Sequence, residues 1–151
     1  MATKSRIAAI AVATAAIAAP AEGLRQYAYY DPPGVLTVCY GSTTDVVKGR
    51  KYSIEECKAR LESDMLKAVQ AVERCHPGLP ANVWIAFSDA VYNLGPTVAC
   101  NSTASRYLAA GNYTAACNEL PKWDKARVAG QLIPLPGLTK RRALERAICL
   151  A

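Results

Sequence analysis

Residues Ile7 to Ala21 carry no charge, nine of these fifteen are alanine, and an acid, Glu22, follows at once. With Lys4 and Arg6 ahead of it, the run has the basic-then-apolar order of an export signal. As a helix it would reach about 22 Å, against a hydrocarbon core of roughly 30 Å. Its strongly apolar residues, Ile7, Ile10, Val12 and Ile17, supply only about 1 to 2 kcal/mol of insertion free energy. Such a helix can enter a bilayer and also leave it. Ala16-Ile17-Ala18 offers a small-x-small cleavage site, and a cut there would leave Glu22 close behind a new N-terminus.

The chain has 151 residues, enough for one domain, and no low-complexity linker divides it. Its net charge of +6 implies attraction to something anionic: a wall polymer, a membrane surface or a nucleic acid. Nucleic acid is disfavoured, because the only sharp basic cluster is Lys140-Arg141-Arg142 and the few aromatic residues form no stacking pattern. The six cysteines, Cys39, Cys57, Cys75, Cys100, Cys117 and Cys149, include no Cys-x-x-Cys pair, and the lone His76 sits in a Cys-His-Pro-Gly turn. Closely spaced ligands for zinc are therefore missing, and an even set behind an export-like segment reads as disulfides. The competing reading is six reduced core thiols. No metal and no cofactor is expected.

Glu22 opens the run Glu22-Gly23-Leu24-Arg25; Asp31 follows in Tyr30-Asp31-Pro32, and Thr37 comes three residues after Gly34. Two carboxylates and a hydroxyl suit glycoside cleavage, which needs an acid for the leaving oxygen and a second carboxylate on the opposite face of the sugar. The set, at this spacing, resembles the active-site signature of the phage-type lysozymes, glycoside hydrolase family 24. That resemblance implies an α+β lysozyme-like fold, mostly helical, with a small antiparallel β-hairpin sheet beside the active-site cleft. It implies Glu22 as general acid, Asp31 as the carboxylate that orients water or stabilises positive charge, and Thr37 as a partner for that water. The substrate would be peptidoglycan, cut at the β-1,4 bond between N-acetylmuramic acid and N-acetylglucosamine with inversion, by a monomer.

Where such proteins often continue Ile-Gly-x-Gly after the threonine, this chain has Val38-Cys39-Tyr40-Gly41, which resembles the exported subgroup. Matching that subgroup implies the pairs Cys39–Cys57, Cys75–Cys100 and Cys117–Cys149. In the resembled fold the acid ends a helix packed into the domain, so cleavage after Ala18 would delete that helix. Retention is favoured, as in signal-arrest-release endolysins: residues 1–21 would tether the enzyme to the host inner membrane on its periplasmic side. On release to the periplasm they would become the first helix of the catalytic domain, residues 22–151. With no cysteine between Ile7 and Ala21, a thiol-exchange trigger has nothing to act on.

Along the rest of the chain, residues 27–51 read as a hairpin sheet carrying Asp31 and Thr37. Ser53 and Glu56 form a capping box before a stripe at Ile54, Cys57, Leu61, Met65, Val69 and Val72, a helix running to Cys75. Trp84, Phe87, Val91 and Leu94 mark the next helix, stopped by Gly95-Pro96, and shorter helices are expected over 102–110 and 113–120. Pro134 to Gly137 reads as a loop, with Thr139 as N-cap of a last helix to Leu150. Trp123 is assigned to the core. Tyr92-Asn93-Leu94-Gly95 resembles the amide-bearing end of the family's central helix, which makes Asn93 a substrate contact. Gly137-Leu138-Thr139 with Arg141-Arg142 and Glu145 resembles the C-terminal block, which places Arg142 at Glu22 or on an anionic substrate group.

Two rivals remain. A lytic transglycosylase would cut the same bond without water, and an exported wall-binding or inhibitory module would cut nothing.

Overall fold

The computed structural model describes residues 1–151. Its elements run α1 (Lys4–Glu22), β1 (Arg25–Tyr30), β2 (Leu36–Cys39), α2 (Ile54–Cys75), α3 (Ala81–Leu94), α4 (Thr97–Cys100), α5 (Thr103–Ala109), α6 (Tyr113–Cys117), a 3₁₀ turn (Leu120–Lys122), β3 (Lys125–Val128), β4 (Gln131–Pro134) and α7 (Pro136–Leu150). Helices dominate, and the strands form two separate antiparallel hairpins, β1 with β2 and β3 with β4. This is the α+β, mostly helical architecture expected.

The apolar N-terminal run is part of the core. Thr3 caps α1 by accepting the Arg6 N–H at 3.2 Å, and Gly23, at a positive φ of 75°, ends it. Ile10, Ala11, Ala15 and Ala18 join one buried cluster with Leu61, Met65 and Val69 of α2 and with Trp84, Phe87 and Ala90 of α3. The run's one buried hydroxyl, Thr14, donates to the Ile10 carbonyl at 2.7 Å and needs no partner outside its own helix.

In α2, Ser53 accepts the Glu56 N–H at 3.0 Å, one half of the capping box. Glu56 does not return the contact; its carboxylate pairs with Arg50 at 2.9 Å. Cys57, Leu61, Met65, Val69 and Val72 face inward, whereas Ile54, at the head of the expected stripe, is half exposed. Trp84 fills the space between α2 and α3 and donates its indole N–H to the Val69 carbonyl at 3.0 Å.

Three expectations need correction. The expected loop at residues 134–137 is the end of β4 and the start of α7, whose N-cap is Leu135. Pro136 occupies the first helical position, where its fixed φ suits the helix and its missing N–H has no intrahelical bond to lose. Thr139 consequently lies inside the first turn and donates its hydroxyl to Asp124 at 2.8 Å. The β3–β4 hairpin went unread: its turn, Ala129-Gly130, has both residues at positive φ (51° and 81°), the type I′ geometry that Asn-Gly usually signals. The expected helix over 113–120 ends at Cys117 and resumes as the 3₁₀ turn.

Disulfides join Cys39 to Cys57, Cys75 to Cys100 and Cys117 to Cys149, tying β2 to α2, α2 to α4 and α6 to α7. Their separations of 18, 25 and 32 residues correspond to about 3 to 4 kcal/mol each in a loop-closure account. Replacing Cys117 and Cys149 together by serine is expected to lower unfolding stability by about 3 kcal/mol in a denaturant titration; an unchanged midpoint would refute this.

Candidate active site

Glu22 is the last residue of α1, and only Gly23 and Leu24 separate it from β1, so the hairpin starts beside the acid. The Glu22 side chain is about one-fifth exposed, and its Oε1 accepts from Arg141 Nη1 at 2.5 Å. Oε2 lies beside Gly41, which with Glu22 and Tyr92 lines a cavity of about 320 Å³ shared with Thr43, Thr44, Asp64, Lys67 and Asn93. Gly41 holds a φ of 102°, and a Cβ there would come within 3.7 Å of both Glu22 Oε2 and Tyr92 Oη. Tyr92 donates to the Tyr40 carbonyl at 3.1 Å. Burial, reinforced by the Glu22 charge, holds its phenol well above the ordinary value, so it remains a neutral donor. Burial likewise raises the Asp64 carboxyl.

Asp31 sits just past β1, where its Oδ1 accepts the Val35 N–H at 2.7 Å and closes the hairpin loop. Thr37 is buried on β2 opposite Tyr29. Its hydroxyl proton goes to the Val35 carbonyl at 2.9 Å, which leaves the oxygen free to accept. Neither residue lines the cavity at Glu22.

Arg142 is not the residue at Glu22. Completely buried, it is bidentate to Glu145 at 2.5 and 2.7 Å and donates to Asn93 Oδ1 at 2.9 Å. Its neighbour Arg141 reaches Glu22 and is held from behind by Asp89, through bonds of 3.0 and 2.9 Å to the two carboxylate oxygens. On α7, Arg141, Glu145 and Cys149 follow one another at intervals of four, and Arg142 lies seven before Cys149. Both arginines thus satisfy the helical period, and spacing could not choose between them. Asn93 lines the cavity; its Oδ1 accepts from Arg142, while its amide N–H₂ donates to no protein group.

Burial opposes the Arg141 charge, but Asp89 and Glu22 outweigh it and raise the guanidinium further. Burial would also raise Asp89; hydrogen bonds from Glu145 and Arg141, with both arginine charges, hold it below the usual carboxylate range. Glu145 is pushed up by burial and by Asp89 against the pull of Arg142. Asp89 therefore contributes stability that is lost as pH falls through its lowered value. The raised Glu145 acts oppositely: its contribution is complete below the unfolded glutamate value and declines as pH rises. Glu145→Gln, which mimics the protonated acid, should flatten the alkaline-side fall in a pH series of melting curves; an unchanged slope would refute the assignment. Arg141→Ala strips the buried Asp89 of its bidentate ion-pair partner and is expected to cost about 3 to 5 kcal/mol of unfolding free energy.

Asp89, Arg141, Tyr92 and Asp64 were missed in the sequence. The signal available for Asp89 was that it is the one charged residue in α3, within a stretch from Val83 to Val91 that is otherwise apolar but for Ser88.

The family model described as phage lysozyme matches residues 19–145. The chain is 36% identical over 149 residues to the SAR-endolysin of bacteriophage PS119, covering 94% of this chain and 87% of that protein. Among solved structures it is similar to the endolysin of Escherichia coli O157:H7 phage FAHEc1, with a TM-score of 0.81, 30% identity and coverage of 91% and 90% of the two chains. It is also similar to the muramidase domain of SpmX from Asticaccaulis excentricus, with a TM-score of 0.85, 30% identity and coverage of 92% and 95%. An acid ending a first helix packed on the core, a short hairpin directly after it, and a family match running from that helix into α7 agree with one another: the chain belongs to the phage lysozyme family.

Proposed function

We propose that this protein is an endolysin that hydrolyses the β-1,4 bond between N-acetylmuramic acid and N-acetylglucosamine in peptidoglycan. The observation that carries the reading is Glu22, fixed through Oε1 by Arg141 while Oε2 turns toward a polar cavity, at the junction of α1 and the hairpin. In this reading Oε2 carries the proton for the leaving group. Asp31 orients the attacking water or stabilises the positive charge that develops on the sugar, and Thr37 accepts a hydrogen bond from that water. Asn93, oriented by Arg142, donates to a sugar oxygen through its amide. The charge of +6 draws the enzyme to an anionic wall.

The SAR-endolysin name of the PS119 relative and the length of α1 support a tethered precursor: α1 is one helix of 19 residues, long and apolar enough to cross a membrane. In this reading residues 1–21 first hold the enzyme at the periplasmic face of the inner membrane. They then withdraw to dock as α1 and set Glu22 in place.

The test is digestion of purified peptidoglycan in ¹⁸O-water. A reducing-end product with one ¹⁸O is expected. An anhydro sugar without label would identify a transglycosylase, and intact peptidoglycan a non-catalytic wall-binding module. Asn93→Ala is expected to lower kcat/KM roughly tenfold, the loss of about one hydrogen bond of 1 to 1.5 kcal/mol; unchanged kcat/KM would remove Asn93 from the binding site.

A further inference from the structure

Ile10, Ala11, Thr14, Ala15 and Ala18 hold α1 on the core, yet the side of the helix left in water is apolar as well. Ala8, Val12, Ala16 and Pro20 follow one another at intervals of four, and Ala9, Ala13, Ile17 and Ala21 form the adjoining row; all eight are exposed or half-exposed. A row at that interval is a ridge on a helix, so the two make one strip about 18 Å long. The water side of a surface helix ordinarily carries its charged residues. Here Val12 leaves half of its surface in water, and no charge interrupts either row. The strip ends in a groove of about 850 Å³ between α1 and α7, walled by Ile17, Pro20, Leu135, Leu138 and Leu144. The unpaired charges of strip and groove have one sign. Lys4 heads the first row, Lys140 lines the groove, and neither makes an ion pair, whereas the acid of the groove, Glu22, is held by Arg141.

We propose that the strip and the groove together form a surface by which the folded domain docks on the face of an anionic bilayer. The strip lies at the boundary of headgroups and acyl chains, Leu138 and Leu144 extend the apolar contact onto α7, and Lys4 and Lys140 meet lipid phosphates. This contact differs from the tether. There α1 leaves the domain and crosses the bilayer; here its buried residues stay packed on α2 and α3 while its other side touches lipid. A second copy of the chain is a poorer occupant, because pairing two such faces brings unpaired lysines of the same sign together. The proposal rests on the retention of α1 argued above and on none of the catalytic roles.

The test is co-sedimentation of the soluble, folded full-length protein with vesicles of phosphatidylethanolamine and phosphatidylglycerol, and with vesicles of phosphatidylcholine alone. Intact mass first establishes that α1 is present, so its loss is seen separately from a failure to dock. Binding to the anionic vesicles is expected to be at least about tenfold tighter than to the neutral ones, and to weaken in ~1 M salt, where charges are screened beyond about 3 Å. Lys140→Glu, a reversal of one charge at the lipid surface, should weaken it at least about tenfold, and Leu144→Glu should weaken it as well. Both side chains are exposed, so melting temperatures should not move. Both also lie on α7 and leave the insertion of α1 unchanged. Anionic-vesicle binding indifferent to the two substitutions would therefore mean that α1 inserts by itself and would overturn the docking surface. Equal binding to both kinds of vesicle, or binding to neither, would overturn it too. A dimer in lipid-free sedimentation that Leu144→Glu dissolves would give the face to a second copy instead. No readout uses peptidoglycan, so failure of the catalytic reading leaves these outcomes as they are.

Discussion

Glu22→Gln is expected to lower peptidoglycan turnover by about 10² to 10⁴, the range for losing a general acid, with the fold intact. Glutamine keeps the shape of the side chain and an oxygen to accept from Arg141. It offers no transferable proton toward the cavity. The fold survives because Arg141 retains both bonds to Asp89, so no buried charge is orphaned. This separates Glu22→Gln from Arg141→Ala, where activity falls together with stability. Turbidity clearing of permeabilised cells, read beside melting temperature, makes the distinction, and clearing by Glu22→Gln within about threefold of wild type would remove Glu22 from its assigned role. Asp31→Ala should also cripple turnover, with a smaller cost in stability, since its structural part is one exposed bond to Val35.

A second large effect is expected when α1 is made more apolar. Ala8→Leu with Ala9→Leu adds roughly 1 kcal/mol of insertion free energy, which should delay lysis and shift the protein to the membrane fraction. These positions are the informative ones because both are exposed in the folded domain. Ala11 and Ala15 are only 1% and 5% exposed, and leucine there would overpack the contacts with α2 and α3, confusing membrane retention with misfolding. The membrane potential acts on the same step. In the tethered precursor proposed above, Lys4 and Arg6 would lie on the cytoplasmic side, each held by about 2.3 kcal/mol per 100 mV, so an uncoupler should bring lysis forward in wild type and less so in the leucine variant. Lysis timed identically in both, or a fully active soluble enzyme that begins after Ala18, would refute the release mechanism. The second outcome would require a domain that stays folded without Ile10, Ala11, Thr14, Ala15 and Ala18, all buried.

Much of this molecule is local, and most of what is local was legible. The helix from Ser53 to Cys75 follows from a cap and a repeating apolar stripe, and α3 follows from Trp84, Phe87 and Val91 ahead of a Gly-Pro stop. Glu22, Asp31 and Thr37 lie within sixteen consecutive residues, so a short motif could present them together, and the chain folds as the family they resemble. The β3–β4 hairpin was hidden because its turn residues, alanine and glycine, do not advertise the positive φ that both adopt. Thr139 was taken for a cap because cap chemistry alone cannot tell that Pro136 has already begun the helix. The partner of Glu22 lay beyond any local rule. Arg141 and Arg142 share one helix and one chemistry, and the rotation of α7 against α1 and α3 sends the first to Glu22 and Asp89 and the second to Asn93, while the bond of Arg142 to Glu145, three residues on, stays within α7. Residue type and spacing determined which groups the protein possesses and which helices carry them. Only the packing of helices distant in sequence decided which charges meet, because the energy of a buried ion pair depends on a few ångströms of separation and on exclusion of water, neither of which is written in a single segment.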